Sequence, residues 1–219
     1  MTAMRLKRYP SPSGGFALGK MGVGATMMKR LPYDAEVEYL ESTGTQYIDT
    51  GVIFKTQPRV VFDWLVTDGG DKDICGTKRA DAGCFLIDIY LNNDPWLWYR
   101  YGTSGLSGYA SMNKPNVNSR HTMDAGRKVL LDGVQILSLS GTYDFSTNSQ
   151  TLLLFRGRTY HKARIYSFIV YDNEALVRDM IPVRFTNELG QSEGAMYDRV
   201  SEQLYRNQGT GVFPYGNDI

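Results

Sequence analysis

Glu36-Val-Glu-Tyr-Leu-Glu-Ser-Thr-Gly-Thr-Gln-Tyr-Ile-Asp-Thr-Gly51 stands near the front of the chain, and Lys162-Ala-Arg-Ile-Tyr-Ser-Phe-Ile-Val-Tyr-Asp-Asn173 near its back. The second stretch runs on to Met196-Tyr-Asp198 and Leu204-Tyr205. Together they bracket the chain as the first and last strands of one closed β-sandwich would. Between them, turn signals recur roughly every 8–15 residues, the rhythm of an all-β sandwich, and no helix longer than about two turns is evident.

Individual strands can be read in that interval. Arg59-Val-Val-Phe-Asp-Trp-Leu-Val66 alternates, placing Val60, Phe62, Trp64 and Val66 on one face. Cys84-Phe-Leu-Ile-Asp-Ile-Tyr-Leu91 is mostly apolar, as a central strand would be, and Trp96-Leu-Trp-Tyr-Arg-Tyr101 follows Pro95. Lys128–Leu137 reads as a hairpin, because Asp132-Gly133 supplies the positive φ angles of a two-residue type I′ turn. Thr151–Phe155 reads as a buried strand. A further strand over Arg164–Tyr171 ends in a turn at Asp172-Asn173. Glu174–Asp179 is open between a strand and a short helical turn. Cys75 and Cys84 flank an expected hairpin and are expected as free thiols.

The motifs EVEYLESTGTQYIDTGV (36–52), DICGTK (73–78), KVLLDGVQI (128–136), ARIYSFIVYDNEALVRDMIPVR (163–184) and GAMYDRVSEQLYRNQGTGVF (194–213) carry a resemblance. Residues 36–213 resemble the concanavalin A-like, laminin-G-like jelly rolls of gut bacteria and their phages. The resemblance implies an all-β fold of two antiparallel sheets packed face to face. It also implies a role at surfaces: glycan recognition, adhesion, or a building block of a virion.

The composition of the 219 residues agrees with one large β domain: 15 Tyr, 9 Phe and 3 Trp favour strands, and 23 Gly favour turns. No apolar run approaches the roughly 18 residues of a membrane-spanning helix. The net charge of +1 conceals an asymmetry. Arg5, Lys7, Arg8, Lys20, Lys29 and Arg30 face no acid in residues 1–30, which leaves 18 basic against 23 acidic residues in 31–219. We therefore divide the chain into a basic, Gly- and Met-rich arm (1–31) and a jelly-roll domain (32–219). The arm lacks the clean apolar run of a secretory leader. Its basic residues Arg5, Lys7 and Arg8, with Phe16, Leu18, Met21, Met27 and Met28, are expected to dock on other structural proteins of a larger assembly. Methionine-rich segments adapt well to grooves. Three or so charges make only a weak, salt-sensitive nucleic-acid contact, so no specific nucleic acid is expected. Gly14, Gly19 and Lys20 imitate a phosphate loop, but Met21 replaces the hydroxyl residue that holds magnesium.

The best ligand candidates are Trp96, Trp98 and Arg100, which share one strand face, with Tyr109 and Asn113 extending it. A row of exposed rings suits the apolar face of a sugar, and an arginine suits its hydroxyls or a carboxylate. The alternative is that all these rings are packing. Catalytic residues are not expected: Glu36 and Glu38 share a face but read as part of a solvated edge strand, and the aspartate of Leu86-Ile-Asp88-Ile-Tyr90 has no flanking glutamate. Asp88, Asn92 and Asp94 alternate faintly like a lectin metal loop, yet Leu86 stands where that loop has a glutamate, and Asn92-Asn93-Asp94-Pro95 is also an ordinary turn. The acidic run Asp68–Asp73 reads as a turn. His121 and His161 are isolated. No cofactor is expected. The expected role is a multi-copy structural protein of a phage-like virion, assembled in a host cytoplasm and displaying a lectin-like domain toward surface glycans. The alternative is a bacterial cell-surface or secreted carbohydrate-binding module.

Overall fold

The period-two alternation of Val60, Phe62, Trp64 and Val66 produces a strand whose inner face is dry: these four side chains are at most 2% exposed. That strand lies near the middle of the larger of two sheets. The computed structural model describes residues 30–68, 71–77, 84–90, 96–102, 107–111 and 118–219, and at strand residues 71, 72, 84, 86, 88–90, 96, 98 and 107–111 it describes the backbone. The arm lies outside the described residues. Residues 31–219 form one unit.

In chain order the strands are β1 (Ala35–Glu36), β2 (Leu40–Thr43), β3 (Ile48–Asp49), β4 (Pro58–Val66), β5 (Asp71–Thr77), β6 (Cys84–Tyr90), β7 (Trp96–Gly102) and β8 (Ser107–Ser111). There follow β9 (Arg120–Ala125), β10 (Lys128–Leu131), β11 (Val134–Ser138), β12 (Leu152–Leu154), β13 (Lys162–Asp172), β14 (Ala175–Thr186), β15 (Ser192–Asp198) and β16 (Gln203–Tyr205). Ten make one sheet in the order β11-β10-β9-β4-β13-β14-β15-β16, with β1 beside β14 and β2 beside β13. Six make the other, in the order β3-β12-β5-β6-β7-β8. Neighbours within both sheets are antiparallel. The fold is a two-sheet antiparallel jelly-roll sandwich of the concanavalin A-like kind. The two stretches that open the sequence reading are direct neighbours, since Glu41 faces Arg164 and Thr43 faces Lys162.

The core lies between the sheets. Phe62, Trp64, Phe168 and Val170 enter from the large sheet, and Phe85, Ile87, Leu97, Tyr99 and Tyr101 from the small one, all at most 1% exposed. Burying each such side chain is worth about 1.5–3 kcal/mol. Aromatic contacts run across it, with Phe54 on Phe85 at 5.2 Å, Phe85 on Tyr99 at 5.8 Å and Tyr101 on Phe145 at 5.0 Å. On the opposite side of β14 and β15, Ile181, Val183, Phe185, Ala195 and Tyr197 form a second cluster, covered in part by Tyr33.

Two hairpins use left-handed turn residues. Asp132 and Gly133 adopt φ of 51° and 79°, the type I′ pattern expected from the sequence. Asn173 and Glu174 adopt φ of 51° and 63°. The segment after Asn173 is therefore strand β14, which resolves the alternative left open for 174–179. The run Asp68–Asp73 is corrected as well. Asp71–Asp73 belong to β5, and Asp73 is fully buried, where its carboxylate accepts the Thr159 N–H at 2.5 Å. A partner 86 residues away makes a polar strand tolerable there.

The C-terminal residues form a strap over the first strands. Gly216 donates its N–H to Tyr39 and Ile219 to Glu36, at 3.0 and 3.1 Å. Arg184 grips Asp218 with two bonds of 2.7 Å. Farther up, Thr210 donates to the Thr45 carbonyl, and Gly209 sits so close that a Cβ would lie 2.0 Å from that oxygen. Asp198, fully buried, explains the Met196-Tyr-Asp198 motif: it accepts the Asp179 N–H at 2.8 Å and the Ser201 hydroxyl at 2.6 Å, tying β14 to the β15–β16 turn.

Candidate functional site

Strand β7 is held by its inner face. Leu97, Tyr99 and Tyr101 are buried in the core, and the Tyr99 hydroxyl donates to the Gly126 carbonyl at 2.7 Å. Burial pushes the Tyr99 phenol well above its ordinary pKa, so it stays a donor. Trp96, Trp98 and Arg100 hold the alternate positions of the strand. Cross-strand register then fixes their neighbours. Trp98 lies opposite Asp88 of β6 and Tyr109 of β8, Trp96 opposite Tyr90 and Ser111, and Arg100 opposite Leu86 and Ser107. Residues directly opposite share a face of the sheet, with Cβ atoms roughly 4.5–5.5 Å apart. The backbone thus sets Trp98 beside Tyr109 in one row, and Arg100 one row along. Asn113 lies outside the described residues.

Asp88 sits on β6 opposite Asp73 and Trp98, while Asn92 and Asp94 lie outside the described residues. Arg5, Lys7, Arg8, Phe16, Leu18, Met21, Met27 and Met28, expected to dock on partners, also lie outside them. Cys75 is a buried free thiol. His121 bonds Asp132 through Nδ1 at 2.8 Å, at the tip of the β10–β11 hairpin.

The reading of Glu36 and Glu38 as part of a solvated edge strand needs correction. β2 has β13 on one side and the C-terminal strap on the other, where the Glu41 N–H donates to the Pro214 carbonyl at 2.8 Å. Glu41 is bound to Arg164 at 2.7 Å, and Glu36 accepts the Tyr33 hydroxyl at 3.1 Å. Glu36 and Glu38 instead line a cleft of about 660 Å³ that the sequence reading did not find.

That cleft has a backbone cause. β13 pairs with β14 only from Phe168 onward, and with β2 before that, so the two long strands diverge at Ser167. A register shift between Ile165 and Ser167 marks the place. Residues 36–39 bridge the gap. Tyr39 and Tyr166 meet edge to face at 5.7 Å, the Arg164 guanidinium lies 4.2 Å from the Tyr39 ring, and the Arg120 guanidinium 4.0 Å from Tyr166. Arg120 is also bound to Asp63 at 2.7 Å. The available signal was the i, i+2 spacing of Arg164 and Tyr166 within the opening motif, which alternate with the buried Ala163 and Ile165.

The chain matches no family model and no curated protein. Solved structures share its architecture. The native heptameric SAP-like pentraxin of Limulus polyphemus superposes with a TM-score of 0.50 at 11% identity, over 66% of this chain and 78% of that one. The body shares their jelly-roll architecture. A candidate carbohydrate-binding protein from Bacteroides ovatus superposes with a TM-score of 0.57 at 13% identity, covering 83% of this chain. The present chain spans 61% of that protein's length. At such identities the likeness concerns the fold. Among the described residues no helix is long and apolar enough to cross a membrane.

Proposed function

We propose that this jelly roll is a non-catalytic module that binds surface glycans along the outer row of β7. Trp96, Trp98 and Tyr109 supply rings, and Arg100 supplies hydrogen-bond donors. One observation carries this reading: Trp98 stands directly opposite Tyr109, on positions that alternate with the buried Leu97, Tyr99 and Tyr101. A strand needs one apolar face to hold it, and β7 has that face without Trp96 and Trp98. Two adjacent ring-bearing positions beside a guanidinium suit a sugar's apolar face and its hydroxyl rim.

In this proposal the module is one copy among many on a phage-like particle, anchored through residues 1–30. The support is the charge division, six basic residues without an acid against a body of balance −5. A second reading places the same module at a bacterial surface or outside the cell, and the Bacteroides ovatus neighbour favours it.

Two experiments test the proposal. On a glycan array the intact protein is expected to bind a restricted set of glycans, and Trp98→Ala is expected to weaken that binding about fivefold or more, since losing one stacked ring costs on the order of 1 kcal/mol or more. Equal binding by the variant refutes the β7 row. For the anchor, protein lacking residues 1–30 is expected to fold yet fail to enter its assembly. Normal incorporation of that truncation refutes the anchoring role.

A further inference from the structure

The geometry points to a second ligand site on the opposite side of the sandwich, in the cleft between β13 and β14, that takes a neutral, hydroxyl-rich saccharide. It is separate from the β7 row: the cleft lies on the large sheet and the row on the small one.

The cleft is built rather than incidental. Its volume of about 660 Å³ falls among those of small-ligand sites, roughly 300–1,000 Å³. It exists because β13 and β14 part company at Ser167, not because a surface side chain happens to swing aside. Its arginines are fixed before any ligand arrives. Arg164 is held between the Tyr39 ring and Glu41, and Arg120 between the Tyr166 ring and Asp63. Anchored donors lose little freedom on binding, which favours affinity.

The donor count argues for an incoming acceptor. Among the described residues Arg164 bonds Glu41 through Nε, and Arg120 bonds Asp63 through Nη2. A guanidinium carries five N–H donors, so each keeps several for the cleft. Glu36 and Glu38 supply acceptors on the same lining, and Val37, Ile181 and Pro182 supply an apolar floor. A sugar ring offers the matching set: an apolar C–H face with hydroxyls that both donate and accept.

Charge decides against an anion. Arg120, Arg164 and Arg199 are set against Glu36, Glu38 and the carboxylates that pair with these arginines, Asp63, Glu41 and Asp179. Five acids against three bases leave a formal balance of −2. A uronate or phosphate would meet arginines already paired with carboxylates, Glu36 on Arg199 among them, and the further carboxylate of Glu38. A like charge about 4 Å away is strongly repulsive near a protein surface, so a neutral ligand is preferred.

The test uses the full chain and calorimetric titration with a panel of neutral hexose hexasaccharides, with oligogalacturonate of the same length as the charged probe. The expected stoichiometry is two per chain for a neutral ligand accepted by both faces. Ser167→Trp, which fills the cleft, is expected to reduce it to one. Arg120→Met, at a side chain 54% exposed, is expected to weaken the cleft site roughly tenfold. Trp98→Ala is expected to remove the other site alone. Unchanged titrations for both cleft variants overturn the inference, as does loss of all binding in Trp98→Ala, which leaves the β7 reading standing. Loss of all binding in the cleft variants with none in Trp98→Ala supports the cleft and refutes the β7 row. A preference for oligogalacturonate overturns the ligand class assigned here. A protein that binds no saccharide overturns both sites.

Discussion

Glu174 occupies a position that suits glycine. Its φ of 63° follows Asn173 at 51°, a type I′ turn in which the second residue is most often Gly. A side chain in the left-handed region costs about 1–2 kcal/mol, and a glycine returns part of that through its looser unfolded state. The one ion pair at risk, Arg59 to Glu174 at 3.9 Å, involves a carboxylate 82% exposed and is worth little. Glu174→Gly is therefore expected to raise stability by about 0.5–1 kcal/mol in urea unfolding. Gly209 is the opposite case. A Cβ there meets the Thr45 carbonyl oxygen at 2.0 Å, so Gly209→Ala must push the strap off, at a cost of about 3 kcal/mol or more. A melting temperature within a degree of the parent would contradict this account. Asp132 gives a pH signature. Burial raises its pKa, but the His121 hydrogen bond and the Thr122 N–H outweigh this and hold the carboxyl below its ordinary 3.8. A depressed folded value means stability that is full above the ordinary carboxylate range and is lost as pH falls through the lower folded value. The urea midpoint of Asp132→Asn should fall below that of the parent at pH 7, and the gap should close below about pH 4.

At the scale of elements, legibility followed the partners. β4 could be read because its alternation is complete, and the β10–β11 hairpin because Asp132-Gly133 names its own turn chemistry. β5 could not, because Asp68-Gly-Gly-Asp-Lys-Asp73 has the composition of a loop. What makes part of it a strand is Thr159, distant in sequence, which satisfies the Asp73 carboxylate. The alternation of β7 was legible, which put Leu97, Tyr99 and Tyr101 together on one face; that this face is the buried one was not. Nor was the register that sets Tyr109 opposite Trp98, since pairing across β7 and β8 has no local signal. The cleft was less legible still: Tyr39, Arg120 and Arg164 come from three separate parts of the chain, and a divergence of strands joins them. The Tyr99 hydroxyl ties β7 to Gly126 across the sandwich. Tyr99→Phe leaves that carbonyl without its donor and is expected to cost about 1–3 kcal/mol, read from chemical denaturation. A change under about 0.3 kcal/mol would show that the bond carries no net stability.

For the whole molecule, the sandwich leaves two broad outer faces with different chemistry. One is the outer side of the small sheet, where the proposed row of β7 and β8 lies, and the other bears paired arginines and carboxylates beside Tyr39 and Tyr166. The core-facing alternation of β4, β7 and β13 decides which side chains reach each face, so a one-residue slip in any of these strands would exchange dry and wet residues. The strap has a topological consequence. Since Ile219 hydrogen-bonds to Glu36, the first strand and Ile219 meet at one spot on the surface of the body. A short peptide linking Ile219 to Tyr33 should close the body into a ring, which can then be opened at the protruding tip of the β14–β15 turn, where Leu189 is 82% exposed. Such a circular permutant should keep the same sandwich, with its new ends moved to that tip.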